Sequence, residues 1–242
     1  MNARKSLILV AVIAALFFMA QQSEAATISG TATYNGTVPK FKPIKMDADP
    51  TCLAKHSGEV FPETLVLGDE TTKTMGNIFV HVTSGVPKQN YPAPTEPAVI
   101  DQQGCQYKPH VLAVMVGQPV KILNSDGTLH NIHALPKVNT EFNMAMPNFR
   151  KEMTKTFDKV ETQPFPVKCD VHPWMGGWIS VLDNPFFSVT HPDGKFKIDN
   201  LPAGTYEVEA WHEKLPAQKT TVTLAEGETK EIPFVFTAPT GQ

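Results

Sequence analysis

Cysteine is scarce in this chain, with three in 242 residues. An odd number leaves at least one thiol outside any intrachain disulfide. Basic charge is not in excess either. Lys and Arg total 21 against 24 Asp and Glu, a net −3, so there is no electrostatic footprint for nucleic acid and no such partner is expected. No Cys-x-x-Cys-His occurs, which excludes c-type haem attachment, and the Ser, His and Asp residues form no recognisable nucleophile motif. Capped helical periodicity is hard to find, the exceptions being a short stretch near Thr51 to Lys55 and a turn near Phe149 to Met153. Proline, by contrast, is plentiful. Its 21 residues are nearly 9% of the chain, against a usual share of about 5%, and a chain so interrupted is not built mainly of long helices. With 41% apolar and 19% charged residues, the composition is that of a globular protein.

The longest apolar run lies at the N-terminus. Arg4 and Lys5 precede Leu7 to Ala20, a run of 14 residues, which is short of the about 20 that a membrane-spanning helix needs. Ser23-Glu24-Ala25 follows, with small residues where a signal peptidase reads. Residues 1–25 therefore read as a signal peptide, and the mature chain as exported, periplasmic or secreted, and not membrane-spanning. An uncleaved N-terminal anchor is the other reading of the same run. Export would place the chain where disulfides persist.

From Ala26 onward the chain reads as strands and turns. "TISGTATYNG", "GNIFVHVTSG" and "HVLAVMVGQPVKILN" alternate or are rich in β-branched residues, and Asn35-Gly36 has the composition of a hairpin turn. A mainly β protein of sandwiches or barrels follows. Two seams divide it. One is "PKQNYPAPTEPAVIDQQG", with four prolines and little periodicity; the other is "LDNPFFSVT", around Asn184 and Pro185.

The residues with the most distinctive chemistry lie between these seams. "KCDVHPWMGGW" supplies Cys169, His172 and Met175 within seven residues, and "NSDGTLHNIHA" supplies His130 and His133. Two imidazoles and a thiolate with a weak axial thioether are the ligand set of an electron-transfer copper site. Sulfur ligands suit Cu(I), imidazoles suit both oxidation states, and Cys, His and Met at three-residue spacing can wrap one ion from a single loop. Zinc, which also takes Cys and His, would need a fourth strong ligand, and Met is a poor one.

These segments resemble the cupredoxins, the small blue-copper proteins. "GQPVKILNSDGTLHNIHA" is similar to their strand leading into a first ligand His followed by Asn. "KCDVHPWM" is similar to their Cys-x2-His-x2-Met loop in the short form of amicyanin-like members. The resemblance runs from about Tyr107 to Leu182. It implies a Greek-key sandwich holding one type 1 copper ion, with His130, Cys169, His172 and Met175 as ligands and Asn131 tying the two ligand loops together. The His-Asn order favours His130 over His133. Position 173 is Pro, where a binuclear copper loop would need a second Cys. By the same resemblance His172 should lie near the surface, with Trp174 beside it in a mostly apolar docking patch for a redox partner such as a cytochrome or dehydrogenase. Trp174 and Trp178 could equally be packing residues.

With Cys169 assigned to metal, Cys52 and Cys105 are expected to form a disulfide, although free, metal-binding thiols are the rival reading, given His56 and His110 nearby. Met144, Met146 and His212 are weaker candidates for an additional metal site, more simply read as packing residues.

"VTHPDGKFKIDNLPAGTYEVEAWHE" resembles the carboxypeptidase regulatory-like, transthyretin-like β-sandwich modules, and "ISGTATYNG" looks like the opening strand of the same module. The resemblance implies a discontinuous second sandwich, residues 26–97 and 184–238, around a cupredoxin domain at 98–183. Three sequential modules are the alternative. The whole is similar to exported methylamine-utilisation-type proteins. Three functions follow as expectations: a blue-copper electron carrier, a periplasmic copper-binding or delivery protein, or an envelope module with a vestigial site. An enzyme is not expected, because neither an open coordination position nor a second metal centre is apparent.

Overall fold

The computed structural model describes residues 24–69 and 71–238; the expected signal peptide falls almost wholly outside these residues. Strands dominate, and among the described residues no helix is long and apolar enough to cross a membrane. The strand Ala26–Asn35 alternates buried and half-buried positions along its length, as its alternating sequence requires. It pairs antiparallel with Lys195–Leu201 and parallel with Thr229–Glu231 and Phe234–Thr237. A second sheet has the order Phe187–Val189, Phe79–Ser84, Gly204–Trp211 and Gln218–Leu224. One apolar core, including Ile28, Tyr34, Val80, Phe196, Tyr206 and Phe236, lies between these sheets. Gly30 is required where it stands, since a Cβ there would come within 1.8 Å of the Ile232 carbonyl oxygen.

A second sandwich occupies the middle of the chain. Its five-stranded sheet runs Phe142–Met146, His130–Ala134, Glu161–Lys168, Gly176–Leu182 and Val111–Met115. The facing sheet runs Glu152–Thr156, Pro119–Asn124, Ala98–Gln102 and Tyr107–Lys108. Ile100, Ile122, Ile132, Phe165 and Ile179 fill the space between them, together with Cys169 and Met175. A two-stranded ribbon, Val66–Leu67 with Met75–Gly76, completes the pairing.

One local expectation changes. Asn35-Gly36 does not close a hairpin. The strand before it is already paired on both sides, and the chain instead leaves along a proline-containing connection to a helical turn, Pro50–Leu53. Asp49 caps that turn, its side chain accepting from the Thr51 and Cys52 amides, and Pro50 takes the first helical position, where it has no hydrogen bond to lose. The turn expected near Phe149 to Met153 forms at Asn148–Phe149, closed by the Arg150 amide donating to the Pro147 carbonyl at 2.8 Å, and ends in strand from Glu152, paired with Pro119–Asn124.

Cys52 and Cys105 are joined, with both residues fully buried. The bond fixes the helical turn to the loop between Ala98–Gln102 and Tyr107–Lys108. Spanning a sequence separation of 53, it should contribute about 4 kcal/mol by restricting the unfolded chain. Cys52→Ala/Cys105→Ala should lower the unfolding free energy by about that amount in a denaturant titration; an unchanged midpoint would show that the bond carries no stability.

Candidate metal centre

His130 opens its strand, and Cys169, His172 and Met175 lie on the loop joining Glu161–Lys168 to Gly176–Leu182. The loop is fastened on itself: the Cys169 amide donates to the Met175 carbonyl at 3.2 Å, and the Met175 amide to the His172 carbonyl at 2.9 Å. His130 Nδ1 and His172 Nδ1 lie 2.9 Å apart, and Cys169 Sγ lies 3.8 Å from His172 Nδ1. His130, Cys169 and His172 offer ligand atoms all within 4.8 Å of one another, and all three residues are buried. Met175 is buried in the same core. Around one ion with metal–nitrogen and metal–sulfur bonds of about 2.0 and 2.3 Å, a trigonal plane would put nitrogen and sulfur about 3.7 Å apart. The Cys169–His172 spacing fits, and the two Nδ1 atoms need only part slightly. The donor set of two imidazoles, a thiol and a nearby thioether suits copper.

Asn131 ties the two ligand segments together. Its Oδ1 accepts from the Asp170 amide at 2.7 Å and from the Cys169 thiol at 3.3 Å. His133 points elsewhere, its ring nitrogens each 3.0 Å from a carboxylate, Asp170 on one side and Glu141 on the other. Three residues apart on an extended strand, His130 and His133 face opposite ways, a distinction already present in their spacing. Met146 is wholly buried, with its sulfur 3.0 Å from Gln102 Nε2, and Met144 packs on the same core. His212 Nδ1 accepts from the Lys214 and Leu215 amides, and burial lowers its pKa to about 4.

Two carboxylates were not anticipated. Asp126 Oδ2 is 2.9 Å from His130 Nε2 and Asp49 Oδ2 is 3.0 Å from His172 Nε2. Each holds Nε2 and so turns Nδ1 toward the other ring and Cys169, as a carboxylate behind a ligand His does. Asp126 stands four residues before His130 in "NSDGTLH", so its proximity was readable. Asp49 lies 123 residues from His172, in a segment with no motif of its own.

His172 is not at the surface. It is 3% exposed, because the segment around the helical turn covers it: Asp49 holds Nε2 and Cys52 Sγ lies 3.7 Å away. The expected docking edge is thereby covered. Trp174 remains half-buried, its ring 5.0 Å from that of His172 and its indole donating to the Cys105 carbonyl at 3.2 Å.

No protein-family model and no curated protein matches the chain. Among solved structures it is similar to a copper-containing nitrite reductase from Thermus scotoductus, at 23% identity and a TM-score of 0.33 over 42% of this chain. It spans only 25% of that enzyme's length. A purple cupredoxin from Nitrosopumilus maritimus is 23% identical with a TM-score of 0.29, covering 35% of this chain and 98% of its own. The Cu(I) form of an amicyanin mutant is 24% identical with a TM-score of 0.32, covering 42% and 97%.

Burial disfavours a charge on His130, but hydrogen bonds to Asp126 and Cys169 outweigh it and raise its pKa from 6.5 to about 9. Burial likewise resists ionisation of Cys169, while hydrogen bonds from His130 and nearby amides bring its pKa below the ordinary thiol value. Copper would displace the protons these ligand atoms carry. In the metal-free protein the His130 contribution to stability is fully present below pH 6.5 and is lost as pH rises through about 9. Denaturation at a series of pH values should show stability falling across that window, and His130→Asn should flatten the slope; an equal slope in the variant would assign the effect to another group.

Proposed function

We propose that this chain carries single electrons on one type 1 copper ion held by His130, Cys169, His172 and Met175. The observation behind this reading is the convergence of two imidazole Nδ1 atoms and a buried thiol beside a loop that also buries a thioether. Bound copper supplies the one-electron redox step. The protein supplies the rest: Asp126 and Asp49 hold the two rings, Asn131 holds the Cys169 sulfur and closes the ligand loop, and the disulfide-fastened cap excludes water. Rings and sulfur so fixed change position little between oxidation states, which favours rapid transfer. Trp174, half-buried and with its ring tilted against that of His172, gives the electron a short route to a redox protein partner such as a cytochrome or dehydrogenase.

On this reading residues 98–183 are a copper domain inserted into a discontinuous sandwich made of 26–97 and 184–238. The pairing of Ala26–Asn35 with strands beyond Lys195 supports that division. The N-terminal apolar run supports export to the periplasm. Copper binding without electron exchange is a second reading, favoured by one observation: Asp49 occupies the His172 edge at which a partner would dock.

Addition of Cu(II) should give one equivalent of bound copper and an intense visible thiolate band, absent in Cys169→Ser with the β fold intact. A blue Cys169→Ser variant would overturn the ligand assignment. Reversible voltammetry separates the two readings. Trp174→Glu should slow exchange with a small cytochrome while leaving the potential nearly unchanged; a blue protein with no reversible wave would favour copper binding alone.

A further inference from the structure

A cleft of about 270 Å³ next to the ligand loop is lined in part by Glu63, Gln106, His110, Met175 and Glu213, and by none of His130, Cys169 and His172. His110 is only 8% exposed, yet its Nδ1 has no hydrogen-bond partner. Its other nitrogen, Nε2, lies 2.9 Å from Glu213 Oε1. Glu213 is also well buried, and its second oxygen accepts from the Trp178 indole at 3.1 Å. With Nε2–H donating to Glu213, Nδ1 carries a bare lone pair, and a buried acceptor left unpaired is costly. Glu63 Oε2 stands 3.9 Å from that nitrogen, too far for a hydrogen bond and about twice a metal–ligand bond of about 2.0 Å. Burial raises the Glu63 pKa against the pull of His110 and Lys108, so the carboxylate is short of positive charge where it sits.

We propose that His110 Nδ1 and the Glu63 carboxylate form a second metal site, completed by water, for a divalent cation that accepts both imidazole and carboxylate, Zn(II) or Cu(II). Glu213 is a positioning residue that fixes the His110 ring, in the carboxylate–histidine–metal arrangement. His110 leads into the strand Val111–Met115 of the central sandwich, and Glu213 follows the strand Gly204–Trp211 of the flanking one. An ion at this point would fasten the two sandwiches together.

The test disables the first cluster, so its outcome does not depend on the copper reading. Zn(II) is titrated by calorimetry into the full chain carrying Cys169→Ala and His172→Ala. One ion per chain should bind, accompanied by a change in tryptophan fluorescence, since Trp178 is bonded to Glu213. Glu63→Gln, at the cleft rim, and His110→Gln should each weaken binding at least tenfold. Glu213→Gln should weaken it by about 10- to 100-fold. If the doubly substituted chain does not fold, Zn(II) is titrated into the unsubstituted protein, where Glu63→Gln must remove one equivalent. No binding at millimolar Zn(II), or binding indifferent to both Glu63→Gln and His110→Gln, would overturn the proposal.

Discussion

The Asp126 carboxylate holds three parts of the molecule at one point. One oxygen accepts from the Gly104 amide and the other from the Cys105 amide, each at 2.7 Å, while Oδ2 also meets His130 Nε2. Cys105 carries the disulfide, and the disulfide carries the helical turn that covers His172. The orientation of one imidazole and the placement of the cap over the other therefore depend on the same buried anion. A carboxylate this deeply buried is tolerable because its charge is met by hydrogen bonds on both oxygens.

The cap encloses His172 on the side that a ligand ring would otherwise present to solvent. A ligand imidazole reaching solvent would exchange electrons easily but would admit water to the sulfur ligands. Here the half-buried Asp49 carboxylate meets His172 Nε2 at 3.0 Å in place of that water. Such a charge favours the more positive oxidation state of a bound ion. Trp174, half-buried beside His172, is one side chain that links it to the outside, and Asp49 is another.

Much of this was legible in the sequence, and the rest was not for identifiable reasons. The Cys169–Met175 loop is local, so its spacing alone brings the three side chains to one place. The alternation in "TISGTATY" marked a strand because period-two burial needs only nearest neighbours. The covering of His172 was invisible because it arises from Asp49, whose local sequence signals nothing beyond a helix cap. The hairpin suggested by Asn35-Gly36 failed for a related reason: turn composition describes a local preference, whereas the strand before it had already found its partners far along the chain. His133 shows the reverse case, a residue whose orientation the strand period could have settled.

The position of Ala26–Asn35 between Lys195–Leu201 and Phe234–Thr237 also bears on the order of events during synthesis. Thr27 meets Asp199 across 172 residues of chain, and the same strand pairs with Phe234–Thr237, so the outer sandwich cannot close until that strand has been made. The central sandwich has all its strands much earlier. Contacts of such long range are slow to form, and chains of this size fold domain by domain. The central sandwich can thus be shaped while Ala26–Asn35 is still waiting, an unpaired edge open to misassembly until its partners are made.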